Sequence, residues 1–415
     1  MNEIIGFIIK FFHRGGLWVF LSSILVKLSA GITSVIIVHL LTVDEYGSLA
    51  FALSIMGFFT VFGGMGANWS LLRFGALQHS FVEKYTLFRY SLKQGSIYTV
   101  FLILFIIITS FFLPPNFKQS SLLLAILSLG ILSSFYLENI KSFYRIIKKN
   151  RLYSKINIIN TIIVLFLSVI FTLFADSIGY AIAYVLAPLI TFLIFFKKKP
   201  IFTDICSVDS KSFFSYGINT GLGSIASQSI FLLGPLLAGY LNSTTEELAM
   251  FKVATIIPYN LMFIPSMIMV TDFVYFAENC GNAALLRKYY KDYLKVILVF
   301  TFVPFILLIA GSEFILHSLF GEEYISASMM MMVLNIGLFF TFLFRIPLGN
   351  ILSAVGKANW NVVHSVIALI IFIPLGIFLY KILGILGIAV ATTLMLIISG
   401  FVSLVMLIIY LKRIK

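Results

Sequence analysis

The sequence predicts an all-α polytopic membrane protein, and three observations predict it. Of 415 residues, 60% are hydrophobic and only 11% are charged, against roughly 45–50% and 25% in a soluble domain. A soluble fold of this length could not hydrate its surface with so few charges, and the mean hydropathy is +1.07. The apolar residues come in near-continuous runs of about 20, enough to cross ~30 Å of hydrocarbon as a helix. Such runs exclude an outer-membrane barrel, whose strands alternate polar and apolar residues. A single soluble core, a disordered chain and a disulfide scaffold are excluded with it.

Taken in order, the chain opens on residues 2–14. Ile4, Ile5, Ile8, Phe11 and Phe12 recur there at helical spacing, opposite Glu3, Lys10, His13 and Arg14. That pattern predicts an amphipathic helix lying on the membrane surface. Twelve apolar spans follow, at 17–41, 48–72, 92–113, 120–140, 156–175, 178–196, 215–240, 249–272, 294–311, 326–344, 360–380 and 386–410. The first is too long for a cleaved signal. Six spans fall on each side of a boundary near 199/200, which gives an N-terminal lobe over 1–199 and a C-terminal lobe over 200–415.

Direction follows from the basic residues. With the N-terminus inside, 25 of the 29 Lys and Arg lie in inside segments, among them Arg73, Lys141, Arg145, Lys148, Lys149 and Lys197 to Lys199. Outside there are only Lys118 and Lys381. This asymmetry predicts both termini in the cytoplasm. It also accounts for the net charge of +13 without invoking nucleic acid. Cys206 and Cys280 fall on the inside and are expected as reduced thiols.

An internal repeat is expected. Asp44-Glu45 follows span 1 and Glu246-Glu247 follows span 7, at an offset of 202. Each is an acidic outside turn leading into a helix. Repeats of this kind mark secondary transporters. Pro188, Pro235, Pro258, Pro265, Pro304 and Pro374, with Gly57, Gly63, Gly64 and Gly66, interrupt spans and predict kinks.

Four short segments carry a family likeness. They are Leu40-Leu41-Thr42-Val43-Asp44-Glu45-Tyr46-Gly47 after span 1 and Met65-Gly66-Ala67-Asn68-Trp69-Ser70-Leu71-Leu72-Arg73 at the end of span 2. The others are Leu319-Phe320-Gly321-Glu322-Glu323-Tyr324 after span 9 and Ile351-Leu352-Ser353-Ala354-Val355-Gly356-Lys357 after span 10. With the twelve-span layout, the chain resembles the polysaccharide transporters of the MOP flippase superfamily. Within it the chain is most similar to the O-antigen flippases (Wzx type). The resemblance implies two six-helix lobes around a central cavity and alternating access coupled to H+ or Na+. It implies an undecaprenyl-diphosphate-linked oligosaccharide as substrate, moved between leaflets of the bacterial inner membrane. Surrounding lipid and other polysaccharide assembly proteins are the implied partners.

Such a substrate needs hydrogen bonds for sugars and positive charge for phosphate. Ionisable residues inside spans cost about 2.5–3.5 kcal/mol at a helix centre, so each is a candidate. Lys27 lies mid-span in helix 1, where Ser23, Lys27, Ala30 and Ser34 form one small-and-polar stripe. It is too deep to snorkel to the inner interface. In span 7, Asn219 and Gln228 could bond sugar hydroxyls or neighbouring helices. Arg73 ends span 2 and Asp272 ends span 8, an offset of 199, so the two could pair as a gate. Glu138 and Arg345, at the ends of spans 4 and 10, and Lys252, in the first turn of span 8, are further gate or coupling candidates. His39 and His364 could titrate near neutral pH.

No Gly-rich phosphate loop, metal-ligand cluster or nucleophile motif is present in the sequence, so no catalytic residue, metal or cofactor is expected. A polytopic O-antigen polymerase or lipid-linked glycosyltransferase would need acid or arginine chemistry on a sizeable outside loop, which this chain lacks. A multidrug exporter of the same superfamily would present an acidic cavity, whereas helix 1 presents a lysine.

Overall fold

A computed structural model of the chain describes residues 16–196, 209–271, 276 and 279–414. The expected surface helix at 2–14, Cys206 and Asp272 lie outside the described residues. Those residues form helices and turns, with no strand among them. They make two compact units, Met1–Glu45 with Ile55–Leu222 and Tyr46–Ser54 with Gly223–Lys415.

The first unit holds α1 (Gly16–Leu40), the ends of α2 (Val43–Thr60), α3 (Ala67–Leu77), α4 (Phe81–Ser110), α5 (Ser120–Ile146), α6 (Asn150–Phe195) and the start of α7 (Ser210–Tyr240). α1 packs on α6, α6 on α5, and α5 on α3 and α4. The buried rings of Tyr85, Phe88, Phe135, Phe143, Phe192 and Phe213 fill its centre.

α2 and α3 are one broken span, and the break has a local cause. Gly64, Met65 and Gly66 all adopt left-handed backbone, with φ of 61°, 51° and 72°. Glycine takes this conformation without steric cost, and a Cβ on Gly64 would collide with the Phe135 ring. The Gly64 N–H, lost to the helix, donates to the Thr99 hydroxyl at 2.8 Å.

α6 is 46 residues long but reverses at Ala175 and Asp176, where φ/ψ leave the helical region. The Thr191 hydroxyl bonds the Asn160 side chain at 3.2 Å, although 31 residues of straight helix would separate them by about 46 Å. Spans 5 and 6 of the sequence are therefore the two arms of a hairpin.

The second unit holds the middle of α2, the rest of α7, then α8 (Thr245–Leu261), α9 (Phe263–Thr271), α10 (Ala283–Ala310), α11 (Ser312–Phe320), α12 (Ser328–Phe340), α13 (Ile346–Ala354), α14 (Ala358–Leu383) and α15 (Ile385–Arg413). α14 packs on α15, α15 on α12, and α12 on α8. A second core gathers Phe276, Tyr290, Tyr293, Phe305, Phe342 and Leu407.

Two features repeat along the chain. Thr42 and Glu45 form a capping box at the start of α2, and Thr244 and Glu247 form the same box at the start of α8. Each Glu accepts the Thr N–H at 3.0 Å. Each reciprocal bond, Glu N–H to Thr hydroxyl, closes at 3.3 and 3.1 Å. The offset is again 202. The hairpin repeats as well: Gly384, between α14 and α15, has φ 60° and ψ −143°, close to Asp176 with 48° and −136°. Three residues after each, Gly179 abuts the Phe171 carbonyl and Gly387 abuts the Leu379 carbonyl.

Eight described helical segments are long and apolar enough to cross a membrane, nine with the bent pair Ala283–Val299 and Thr301–Ala310, and Ile24–Leu40 is a shorter apolar helix. The count of twelve remains an expectation of the sequence. Span 10, read as ending at 344, runs on through a π turn, Thr341–Arg345, into α13, because Ile346, Leu348, Ile351 and Leu352 keep the chain apolar.

Candidate functional site

Lys27 sits in α1 with its side chain exposed, beside exposed Leu25, Leu28 and Ala30. No carboxylate lies within salt-bridge distance of it among the described residues. Ser34 is half-buried and its hydroxyl donates back to the Ala30 carbonyl at 2.9 Å, which ties it to the helix. Ser23 belongs to α1 and Gln228 to α7, with side chains outside the described residues. Asn219 is exposed on α7.

The start of α7 is built locally. The Asp209 carboxylate accepts the Lys211 N–H at 3.1 Å and the Ser212 hydroxyl, and the Ser212 bond holds this carboxyl below its usual range. The next turns dock on α3. The Ser70 hydroxyl donates to the Phe213 carbonyl at 2.5 Å. Gly66 and Gly217 meet backbone to backbone, so that a Cβ on Gly217 would lie 2.7 Å from the Gly66 carbonyl oxygen. Arg73 lies over the Tyr216 ring at 4.7 Å. An aromatic face, and not a described carboxylate, therefore receives this guanidinium.

Glu138 pairs with Lys141 one turn on, at 2.6 Å. Lys252 is half-buried in α8 and makes no ion pair with Glu246 among the described residues. Arg345 is 9% exposed, and it closes the π turn in the middle of a continuous helical run instead of ending a span. His364 is buried in α14, with Nδ1 3.4 Å from the Ser403 hydroxyl. Among the described residues, no hydrogen bond or ion pair joins Lys27, Asn219 and Arg73 to one another, and no cluster of three metal-ligating side chains occurs.

Two polar positions escaped the sequence reading. Asn335 is fully buried in α12, and its amide oxygen and nitrogen find no partner among the described residues. Asn139 is fully buried in α5 and accepts the Ser91 hydroxyl at 2.6 Å. An Asn inside an apolar span, mid-span at Asn335 and near the end at Asn139, is the signal that marks both.

A family of polysaccharide biosynthesis proteins matches residues 12–274, well over half of the chain. The chain belongs to that family. Its fold is similar to that of a solved structure described as "Lipid II flippase MurJ, inward closed conformation", with a TM-score of 0.75 at 15% identity, covering 96% of this chain and 89% of the other. It is nearly as similar to an inward-facing multidrug resistance MATE family transporter of the MOP superfamily, with a TM-score of 0.74 at 14% identity, covering 94% and 95%. A eukaryotic MATE transporter, AtDTX14, follows at 0.62 and 15%, covering 98% and 100%. A comparison with curated protein sequences gives no significant match. The chain is thus a multi-pass membrane protein with a fold shared by flippases and transporters.

Proposed function

We propose that this protein is a flippase for lipid-linked oligosaccharide. It carries an undecaprenyl-diphosphate-linked O-antigen repeat unit from the cytoplasmic to the periplasmic leaflet of the bacterial inner membrane. Both termini face the cytoplasm, and alternating access is driven by H+ or Na+. The protein performs transport and no covalent chemistry.

The observation that carries the reading is Lys27. It is a mid-span cation with its side chain exposed, and no described carboxylate neutralises it. A lone ammonium is expensive in hydrocarbon and suits an anionic cargo. A diphosphate that sheds water beside it gains more from the charge than it would in bulk solvent. The exposed Asn219 amide offers a donor and an acceptor for sugar hydroxyls. Family membership favours a glycan as the cargo's polar part.

A second reading, multidrug export, draws on the near-equal likeness to the MATE transporter. One set of variants separates the two. Lys27→Ala should abolish or strongly reduce surface glycan in a flippase-deleted strain, Lys27→Glu should be worse, and Lys27→Arg should keep partial function, all at wild-type membrane levels. Wild-type glycan from Lys27→Ala would sink the role of this charge. Drug resistance conferred by the wild-type chain, with no rescue of glycan, would favour export.

A further inference from the structure

The first unit contains a cavity of about 260 Å³ remote from Lys27 in the sequence and formed by three helix ends. Seven aromatic residues, two isoleucines and Lys149 line it, among them Tyr85 and Phe88 of α4 and Phe143 and Tyr144 of α5. The walls are braced ring on ring, with Phe88 stacked on Phe143 at 4.7 Å and Tyr85 edge-on to Phe143 at 5.9 Å. Phe81, at the first turn of α4, remains 42% exposed. The volume falls just below the ~300–1,000 Å³ of small-molecule sites, so it suits one segment of an apolar chain and is too small for a glycan.

The main chain of Lys149, at the cavity, is fixed by hydrogen bonds. The Lys149 N–H bonds the Tyr144 carbonyl at 2.8 Å and the Lys148 N–H bonds the Arg145 carbonyl at 2.9 Å. Lys148 takes φ 59°. This is a Schellman ending of α5 with a lysine in the left-handed position. The Lys149 carbonyl then accepts the first N–H groups of α6, from Leu152 and Tyr153. Lys149 is thus held on both sides at the lip of the cavity. Three nearby cations are engaged elsewhere: the Lys84 ammonium donates to the Ile146 carbonyl at 3.2 Å, and Lys141 and Arg145 lie over Tyr153. Lys149 is exposed, and no described carboxylate is within salt-bridge distance. Among the described residues no acid lines the cavity, so a cationic guest would find no counter-charge there and would meet the Lys149 ammonium at the rim.

An aromatic slot with an exposed lysine at its rim complements an anionic amphiphile. It lies at the helix ends that carry Lys84, Arg89, Lys141, Arg145, Lys148 and Arg151, where the cytoplasmic leaflet presents anionic headgroups to basic pockets between helices. We propose that this cavity binds an anionic phospholipid of that leaflet, one acyl chain among the rings and its phosphate on Lys149. The proposal rests on membrane insertion with the basic ends in the cytoplasm, and is independent of the transported cargo.

The test uses the purified full-length chain in a non-ionic detergent. It is titrated with palmitoyl-oleoyl phosphatidylglycerol, phosphatidylcholine of the same chains, water-soluble glycerol phosphate, and a polyprenyl phosphate. The readouts are the unfolding temperature and the lipid retained by mass. Phosphatidylglycerol should stabilise saturably and be retained, and the other three should not. Lys149→Gln should weaken it about fivefold, the scale of one basic residue near an anionic membrane. Ile147→Trp, filling the cavity, should remove the saturable response, and Lys155→Gln, off the cavity, should leave it intact. Equal response to phosphatidylcholine or glycerol phosphate, or tighter binding of the polyprenyl phosphate, would overturn the assignment. So would a wild-type midpoint in Lys149→Gln, an exposed-site variant that leaves the packed rings untouched.

Discussion

The π turn at Thr341–Arg345 has a cause that can be taken apart by mutation. Position 347 is proline, so it has no N–H for the Leu343 carbonyl four residues back, nor for the Phe342 carbonyl five back. The Ile346 N–H reaches the Thr341 carbonyl, which is the five-residue π register. Two tyrosines of α10 meet the carbonyls that Pro347 cannot serve. The Tyr293 hydroxyl donates to Phe342 at 2.8 Å and the Tyr290 hydroxyl to Leu343 at 3.1 Å. Both are buried, at 6% and 8% exposure. Leaving a buried carbonyl unmet costs ~1–3 kcal/mol in soluble proteins, while interhelical bonds in membranes average ~0.6. Tyr290→Phe and Tyr293→Phe should therefore each cost about 1 kcal/mol.

Pro347→Ala restores a donor that can serve either carbonyl. In that background the loss from one Tyr→Phe change should shrink by about 1 kcal/mol, a coupling that a double-mutant cycle isolates. Reversible unfolding in mixed micelles, with added denaturing detergent as the variable, measures all the corners. Strict additivity between position 347 and both tyrosines would refute the reasoning, because the proline would then have nothing to do with the hydroxyls.

Asp176→Gly should stabilise the chain by roughly 1–2 kcal/mol, because its φ/ψ is costly for any residue with a Cβ and its repeat counterpart is Gly384; Gly384→Asp should destabilise by a similar amount. The same unfolding assay reads both, and a neutral Gly384→Asp would mean that the two hairpin turns are not energetic equivalents. A reporter active only in the periplasm should be active when fused after Asn116, Asn242 or Glu322 and silent after Lys149 or Lys198; activity at Lys149 would reverse the proposed orientation.

The helices were legible because an apolar run is a local signal and the cost of exposed backbone in hydrocarbon leaves helix as its outcome. The break at Gly63–Gly66 was legible because clustered glycines are a local signal too. The first turn of the repeat could be read because Asp44-Glu45 and Glu246-Glu247 look alike as letters. The matching Thr42 and Thr244 caps became apparent only as geometry. The second repeat stayed hidden. Its left-handed residue is Asp176 in one copy and Gly384 in the other, and the shared Gly179 and Gly387 gain meaning only when each is seen against a carbonyl eight residues back. Pro347 was the unread letter behind the π turn, since its effect depends on tyrosines some 50 residues away. The Arg73–Tyr216 contact is likewise tertiary, between residues 143 apart.

Positive charge in a membrane sequence is a degenerate symbol, and four lysines show why. Lys84, Lys149, Lys252 and Lys27 are the same letter. The first spends its ammonium on the Ile146 carbonyl. The second is pinned by backbone at the lip of an aromatic cavity. The third is half-buried about two turns into α8. The fourth is exposed in mid-span. Counting basic residues yields an expected orientation because the count needs only their depth. Assigning a role needs the partner each one keeps, which depends on the helix packed alongside. For Lys84 that partner is legible in the fold, and for Lys149 the fold shows the main-chain bonds alone. For Lys27 no described carboxylate supplies it, and an anionic cargo is the counter-charge that the proposed transport cycle would bring.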